Sequence, residues 1–422
     1  MLLRKSRIAY HAILGLSCYY FTMELTDAET GAEHRSCKST RWEEVDKETK
    51  KCFESLRSDV AALGLGLSSM PVTILEKVDL MAGITQVIIF EMSVGRAEPW
   101  KTHLPAAITL FKEIMATREA RSTYRDQSQT GFASVLLAIG DPLWTNPGVC
   151  NHIWSPDQGS FRFCAGLLIF IDALASTALQ QPPQLHEYHS QILAKQDDGL
   201  PTVGDAEIRL SNIVGCRNWI VESISTISWL HCKKIQIQSG DLVAAEPKQR
   251  LAEDIHNHLV NRDEYLHGNI RAITDTTKRY WDDRLGPQDQ VSFSETEAST
   301  LVWAYATQLY LRTVKDSWHP SPPGAHEYIA GIIESLRKLP HTKIRTLAWP
   351  LCVAGSLALG DQRQTLLDFI ETLPRTQKAG ALDDVQQILQ EVWRLKDNNT
   401  GELDSWSFAS CLAVLGSPIL LV

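Results

Sequence analysis

No two of the nine cysteines in this 422-residue sequence are spaced as Cys-x-x-Cys. Cys18, Cys37, Cys52, Cys150, Cys164, Cys216, Cys232, Cys352 and Cys411 stand apart, whereas a structural zinc site draws its ligands in close pairs. The odd count and the apolar settings of several of them point to reduced core residues in a reducing compartment. Long apolar runs are missing too. The best, Phe163 to Leu174, contains Asp172 and falls short of the about 20 residues of a membrane span. Met1 to Phe21 has basic residues ahead of an apolar run, as a leader peptide does. Tyr10, His11, Ser17, Tyr19 and Tyr20 interrupt it, and no small-x-small cleavage site follows.

A basic stripe is also absent. The formal net charge is −9, and positive residues come as pairs such as Arg4-Lys5, Lys233-Lys234 and Lys278-Arg279. Such a surface is a poor match for the nucleic-acid backbone, so no direct DNA contact is expected from this chain. Neither a Gly-x-Ser-x-Gly elbow, a phosphate-binding P-loop nor a dinucleotide fingerprint occurs. Gly64-Leu65-Gly66 has no strand before it and reads as a helix stop.

What the sequence does contain is helix. Period-2 alternation is nearly absent, while 44% hydrophobic and 22% charged residues supply a core and a solvated face. The expected fold is all-α, a large multi-helix array that is superhelical or two-lobed. Asp197 to Asp205, polar and punctuated by glycine and proline, is the best internal linker, giving lobes over 1–196 and 206–422. Capping-box spacing at Thr40 to Glu43 and at Ser294 to Glu297 predicts helix starts there. Residues 120–160 read as a loop region, and Ile208 to about Lys234 as one continuous helix. Leu347 to Ala358 reads as a buried helix with Pro350 at a first position, where a missing N–H is harmless.

Candidate chemistry is sparse. His186 and His189 lie three apart, close enough to share a metal, but without a third ligand they read as a solvated helix face. His256, His258 and His267 with Asp254 and Asp263 read the same way. Asp282-Asp283 and Asp383-Asp384 look like helix caps. Twelve tryptophans exceed what a chain of this length needs; most serve as core, and some can line an apolar pocket. No catalytic constellation, metal site or cofactor is expected. If there is a pocket, Asn218, Trp219 and Trp349 are its candidate ligand contacts, with core packing as the plainer role of both tryptophans.

Five stretches fall into a recognisable order. They are Phe90-Glu91 with Trp100 to Leu104, then Phe170-Ile171-Asp172 with Pro182-Pro183 and Tyr188-His189. Next come Gly215-Cys216-Arg217-Asn218-Trp219-Ile220 with Ile224 to Ile227 and Lys233-Lys234, Trp349 to Gly355, and last Glu391-Val392-Trp393 with Trp406. Together they resemble the fungal-specific transcription factor domain, the helical regulatory region that usually follows a zinc binuclear cluster. The resemblance implies a regulator of a secondary-metabolite or catabolic pathway, at work in the nucleus with the cytoplasm as a second compartment. Cys18, Cys37 and Cys52 do not have the zinc-cluster spacing, so the expectation is a regulator without its own zinc cluster. Its expected partners are a DNA-binding transcription factor or co-regulator, a small-molecule effector and a second copy of itself, with no membrane. The alternative is the same scaffold turned into an enzyme or a binding protein for an apolar metabolite.

Overall fold

The computed structural model describes residues 6–27, 35–64, 72–94, 99–117, 131–146, 151–195, 206–240, 248–280, 287–319, 322–398 and 406–422. Helices dominate, as the missing period-2 pattern requires. Two compact units are present: 1–170 with 187–213, and 171–186 with 214–422. The linker expected at 197–205 lies outside the described residues.

In the first unit, α1 (Arg7–Asp27) packs on α2 (Arg35–Gly64) and on α3 (Ile74–Ser93). The apolar run near the N-terminus is thus a core helix, with Ile8 and Ala9 fully buried. Gly83 of α3 lets it approach: a Cβ there would lie 3.1 Å from the Ile8 side chain. Helix α3 opens with a capping box between Thr73 and Glu76. Helix α4 (Trp100–Ala116) follows, with Pro99 as its N-cap. The loop expected over 120–160 is instead α5 (Gly131–Ile139) and a three-residue antiparallel hairpin, β1 (Trp144–Asn146) with β2 (Asn151–Ile153). Phe132, Val135, Leu136 and Ile139 recur at helical spacing and are all buried, a signal that the turn residues after them obscured. Among the described residues that hairpin and an isolated Leu193–Ile208 bridge are the only strand pairing.

Helix α6 (Pro156–Leu179) is long and apolar enough to cross a membrane by length and composition, but most of it is buried in the protein. Its residues to Phe170 belong to the first unit and the rest to the second. Asp172, 3% exposed, accepts from the Gln184 and Leu185 backbone amides at 3.0 and 2.8 Å. A buried carboxylate used this way folds the chain back sharply after the helix. A 3₁₀ turn at His186–Tyr188 and α7 (His189–Ile192) follow.

The continuous helix expected from Ile208 is broken into α8 (Ser211–Val214) and α9 (Asn218–Ser239). Gly215 sits between them at φ +70°, a left-handed conformation that ends a helix and that glycine adopts without a Cβ penalty. The second unit then runs through α10 (Lys248–Tyr280), α11 (Pro287–Lys315), α12 (Ala325–Leu336) and α13 (His341–Ile344). It continues with α14 (Ala348–Leu357), α15 (Asp361–Glu371), α16 (Arg375–Lys378), α17 (Ala381–Asp397) and α18 (Phe408–Leu412). Both capping-box expectations at 40–43 and 294–297 fail for one reason. No proline or glycine precedes either box closely enough to stop the helix, so α2 and α11 start earlier, the latter at Pro287. Glu297, freed from capping, pairs with Arg217.

Every residue of α14 is buried. Trp349 stacks on Trp303 with centroids 5.8 Å apart and planes 10° apart, and meets Tyr310 and Phe408 edge-on. Its indole N–H donates to Thr177 Oγ1 at 3.1 Å. The far end of α14 is closed by α17: Trp393 Nε1 donates to the Gly355 carbonyl at 2.8 Å, and Lys396 Nζ to the Ser356 carbonyl. Side chains thereby add donors at the last turn, where the Gly355 carbonyl also accepts from the Ala358 amide. Pro350, third in the helix, lacks an N–H that has no intrahelical acceptor in any case.

Candidate functional site

Sequence spacing on two adjacent helices builds a groove in the second unit. Helix α10 buries Ile255, Leu259, Leu266, Ile270 and Ile273. Its neighbouring face carries His258, Asn261, Arg262 and Tyr265, at i, i+3, i+4 and i+7. Helix α9 presents Thr226, Trp229 and Leu230 at i, i+3 and i+4, and His186 comes from the 3₁₀ turn. The groove is open to solvent on one side and has a volume of about 540 Å³. Leu230 is 1% exposed and gives an apolar floor, while Trp229 and Tyr265 at 38% and 43% form the rim.

Arg262 is half-buried. Its two terminal nitrogens lie 3.5 Å from Ser223 Oγ and Thr226 Oγ1, and its guanidinium sits 5.1 Å from the Tyr265 ring centroid. Burial lowers its pKa, with Tyr265 and Glu222 opposing; an arginine remains a cation regardless. His186 Nδ1 is 3.0 Å from Ser225 Oγ, and burial followed by the Arg262 charge lowers its pKa, which favours the neutral ring. At the rim the Lys233 ammonium lies 5.7 Å from the Trp229 ring.

A smaller cavity of about 200 Å³ lies near Lys234 and Lys315. Its cations are already engaged: Lys234 donates to the Val314 and Lys315 carbonyls, and Lys315 pairs with Asp263 at 2.6 Å.

Of the candidate ligand contacts, Trp219 is half-buried and edge-on to Tyr265 at 6.3 Å, next to the groove wall. Asn218 is buried at the first turn of α9. Trp349 lies in the aromatic cluster described above, and the structure places it with Trp303 and Thr177. Sequence reading missed Arg262, Trp229 and Tyr265. The i, i+3, i+4, i+7 stripe on α10 was the available signal, but its histidines and acids made it look like a plain solvated face.

The metal candidates do not assemble. His189 is buried and His186 faces Ser225, and among the described residues no three His, Cys, Asp or Glu side chains converge on a metal position. His267 Nε2 is 2.6 Å from the Tyr328 hydroxyl and its Nδ1 is near Asp263, tying α10 to α11 and α12. Seven cysteines are described as free thiols. Burial pushes Cys52, Cys164 and Cys411 up to about 12, which keeps them protonated and unreactive.

The ordered motifs act as joints. Phe90 and Trp100 are buried, and the fully buried Glu91 pairs with His103 Nδ1 at 3.0 Å, locking α3 to α4. Gly215 turns the chain into α9, and the Trp349–Gly355 and Trp393 stretches lock α14 to α17. The joints hold a helical scaffold that carries a polar-aromatic groove in its second unit. The fungal-specific transcription factor domain matches residues 2–422, and the chain belongs to that family.

Among curated proteins it is 28% identical to transcription factor dibT of Pestalotiopsis microspora, over 100% of this chain and 65% of that protein. It is 24% identical to pestheic acid cluster transcriptional regulator 3 of Pestalotiopsis fici, over 94% and 66%. With the ustiloxin B cluster transcription factor ustR of Aspergillus flavus the figures are 23%, 96% and 64%. The chain thus spans just under two thirds of the length of these relatives. No solved structure matches.

Proposed function

We propose that this chain is the regulatory domain of a transcription regulator that controls a gene cluster for a small-molecule pathway in a fungus. The observation that carries this is the family match over residues 2–422, joined to relatives that are named as transcription factors and cluster regulators. The domain works in the nucleus and acts with a DNA-binding transcription factor or co-regulator. Its own surface, at a net charge of −9 and with basic residues in pairs rather than a stripe, does not favour duplex DNA. Deleting the gene changes the transcripts of one co-regulated set of biosynthetic genes. Unchanged transcripts together with accumulation of a single intermediate would overturn this in favour of an enzyme.

A further inference from the structure

We propose that the groove between α9 and α10 binds a small aromatic acid, its anionic group on Arg262 and its ring against Trp229 and Tyr265. Three arginines of the same unit are paired with carboxylates: Arg217 with Glu297, Arg363 with Asp397, Arg394 with Glu391. Arg312, which lacks one, donates to the Pro323 carbonyl and the Tyr328 hydroxyl at 2.9 and 3.2 Å. Arg262 is different. It is half-buried and makes two contacts to hydroxyls at 3.5 Å, with the Glu222 charge acting on it from α9, which leaves a share of its five donors for a ligand. Holding a cation partly out of water is costly unless an anion completes it, and a planar carboxylate matches the guanidinium fork.

The surroundings select the rest of the ligand. Trp229 and Tyr265 expose large rings on the two helices that flank the groove, and Leu230 offers apolar contact at the floor. Lys233 adds a second positive charge beside Trp229 at the rim, while the Glu222 carboxylate acts on Arg262 from α9. His258 and Asn261 are polar groups on the groove wall able to bond ring hydroxyl or carbonyl substituents. A volume of about 540 Å³ suits a ligand of one to three rings. An inorganic anion would leave both rings and the apolar floor unused. The site uses α9, α10 and the His186 turn alone, and it adds to the regulatory reading the chemical class of an effector.

The test is calorimetric titration of the whole chain with 2-naphthoate, neutral 2-naphthamide and inorganic phosphate, in wild type and in Arg262→Gln and Trp229→Ala. The expected result is saturable 2-naphthoate binding that is about tenfold or more tighter than that of 2-naphthamide, the scale of a hydrogen-bonded charge. Arg262→Gln abolishes that preference, and Trp229→Ala weakens both naphthyl compounds. Equal affinity of wild type for the acid and the amide overturns the role of Arg262 without relying on any variant. Phosphate binding as tight as naphthoate, or no saturable naphthoate binding, overturns the aromatic acid. No DNA or transcript enters the titration. A failed titration therefore leaves the regulatory function standing, and unchanged transcripts in the deletion strain leave a positive titration standing.

Discussion

Asp384 lies in the first turns of α17 with its carboxyl pushed up to about 6, chiefly by burial and then by the charge of Asp383. Its ordinary value is 3.8, so folding favours the protonated form. The ionised form is a stability penalty that is full above about 6 and is relieved as pH falls toward 3.8. Partial exposure reduces the penalty to about 1–2 kcal/mol. Asp384→Asn is therefore predicted to be more stable than wild type by that amount at neutral pH, with the gain shrinking to nothing near pH 4. Urea denaturation of both proteins at the two pH values checks this; a gain that grows on acidification contradicts it. At Gly355 the expected sign is the opposite. A Cβ there would lie 2.5 Å from the Leu389 side chain, so Gly355→Ala should lose about 1–3 kcal/mol to overpacking despite alanine's better helix propensity. Neither effect can be read from sequence. Spacing shows that Asp383-Asp384 suits a helix start, but not that one carboxyl is buried, and a glycine in a buried helix does not reveal which side chain fills its place.

At the scale of elements, two buried side chains tie segments together. Asp172 holds the Gln184 and Leu185 amides and so fixes the turn that presents His186 to the groove. Asp172→Ala removes two charge-assisted bonds and leaves both amides open, and about 2–4 kcal/mol of stability should go with them. Loss of protection at these amides in hydrogen exchange locates the effect, and unchanged protection contradicts it. Gln158 donates to the Leu136 and Gly140 carbonyls at 2.8 and 2.6 Å while its Oε1 accepts from the Ser155 amide. That links the end of α5 to the start of α6. Ser155-Pro156-Asp157-Gln158 is a capping box with proline first, as legible as the two false ones at 40–43 and 294–297. The false boxes differ in what precedes them, which is helix-compatible chain. The all-α class and the buried α14 were legible because apolar periodicity and an apolar-all-round segment are local signals. The break before α9 was not, since Gly215 can sit within a helix or end one, and only φ decides.

For the molecule as a whole, the ordered motifs were legible and their physical role was not. Glu91 with His103, and Gly355 with Trp393, are partners 12 and 38 residues apart, and pairing at that range follows from tertiary structure. The groove stayed hidden for the same reason: Arg262 and Trp229 lie on different helices, and no spacing within either helix shows that they line one groove. The charge balance leads to a further prediction. The purified chain alone should show negligible affinity for duplex DNA at physiological salt, and tight, strongly salt-dependent binding in an electrophoretic shift would contradict the proposed reliance on a partner. The central claim is that this chain carries transcription-regulating activity in its own helical fold. The most direct measurement tethers residues 1–422 to a heterologous DNA-binding domain and reads transcripts from a reporter bearing its operator. A change in reporter transcript, relative to the DNA-binding domain alone, is the predicted result. A folded, nuclear, operator-bound fusion that leaves the reporter at the level of the DNA-binding domain alone would contradict it.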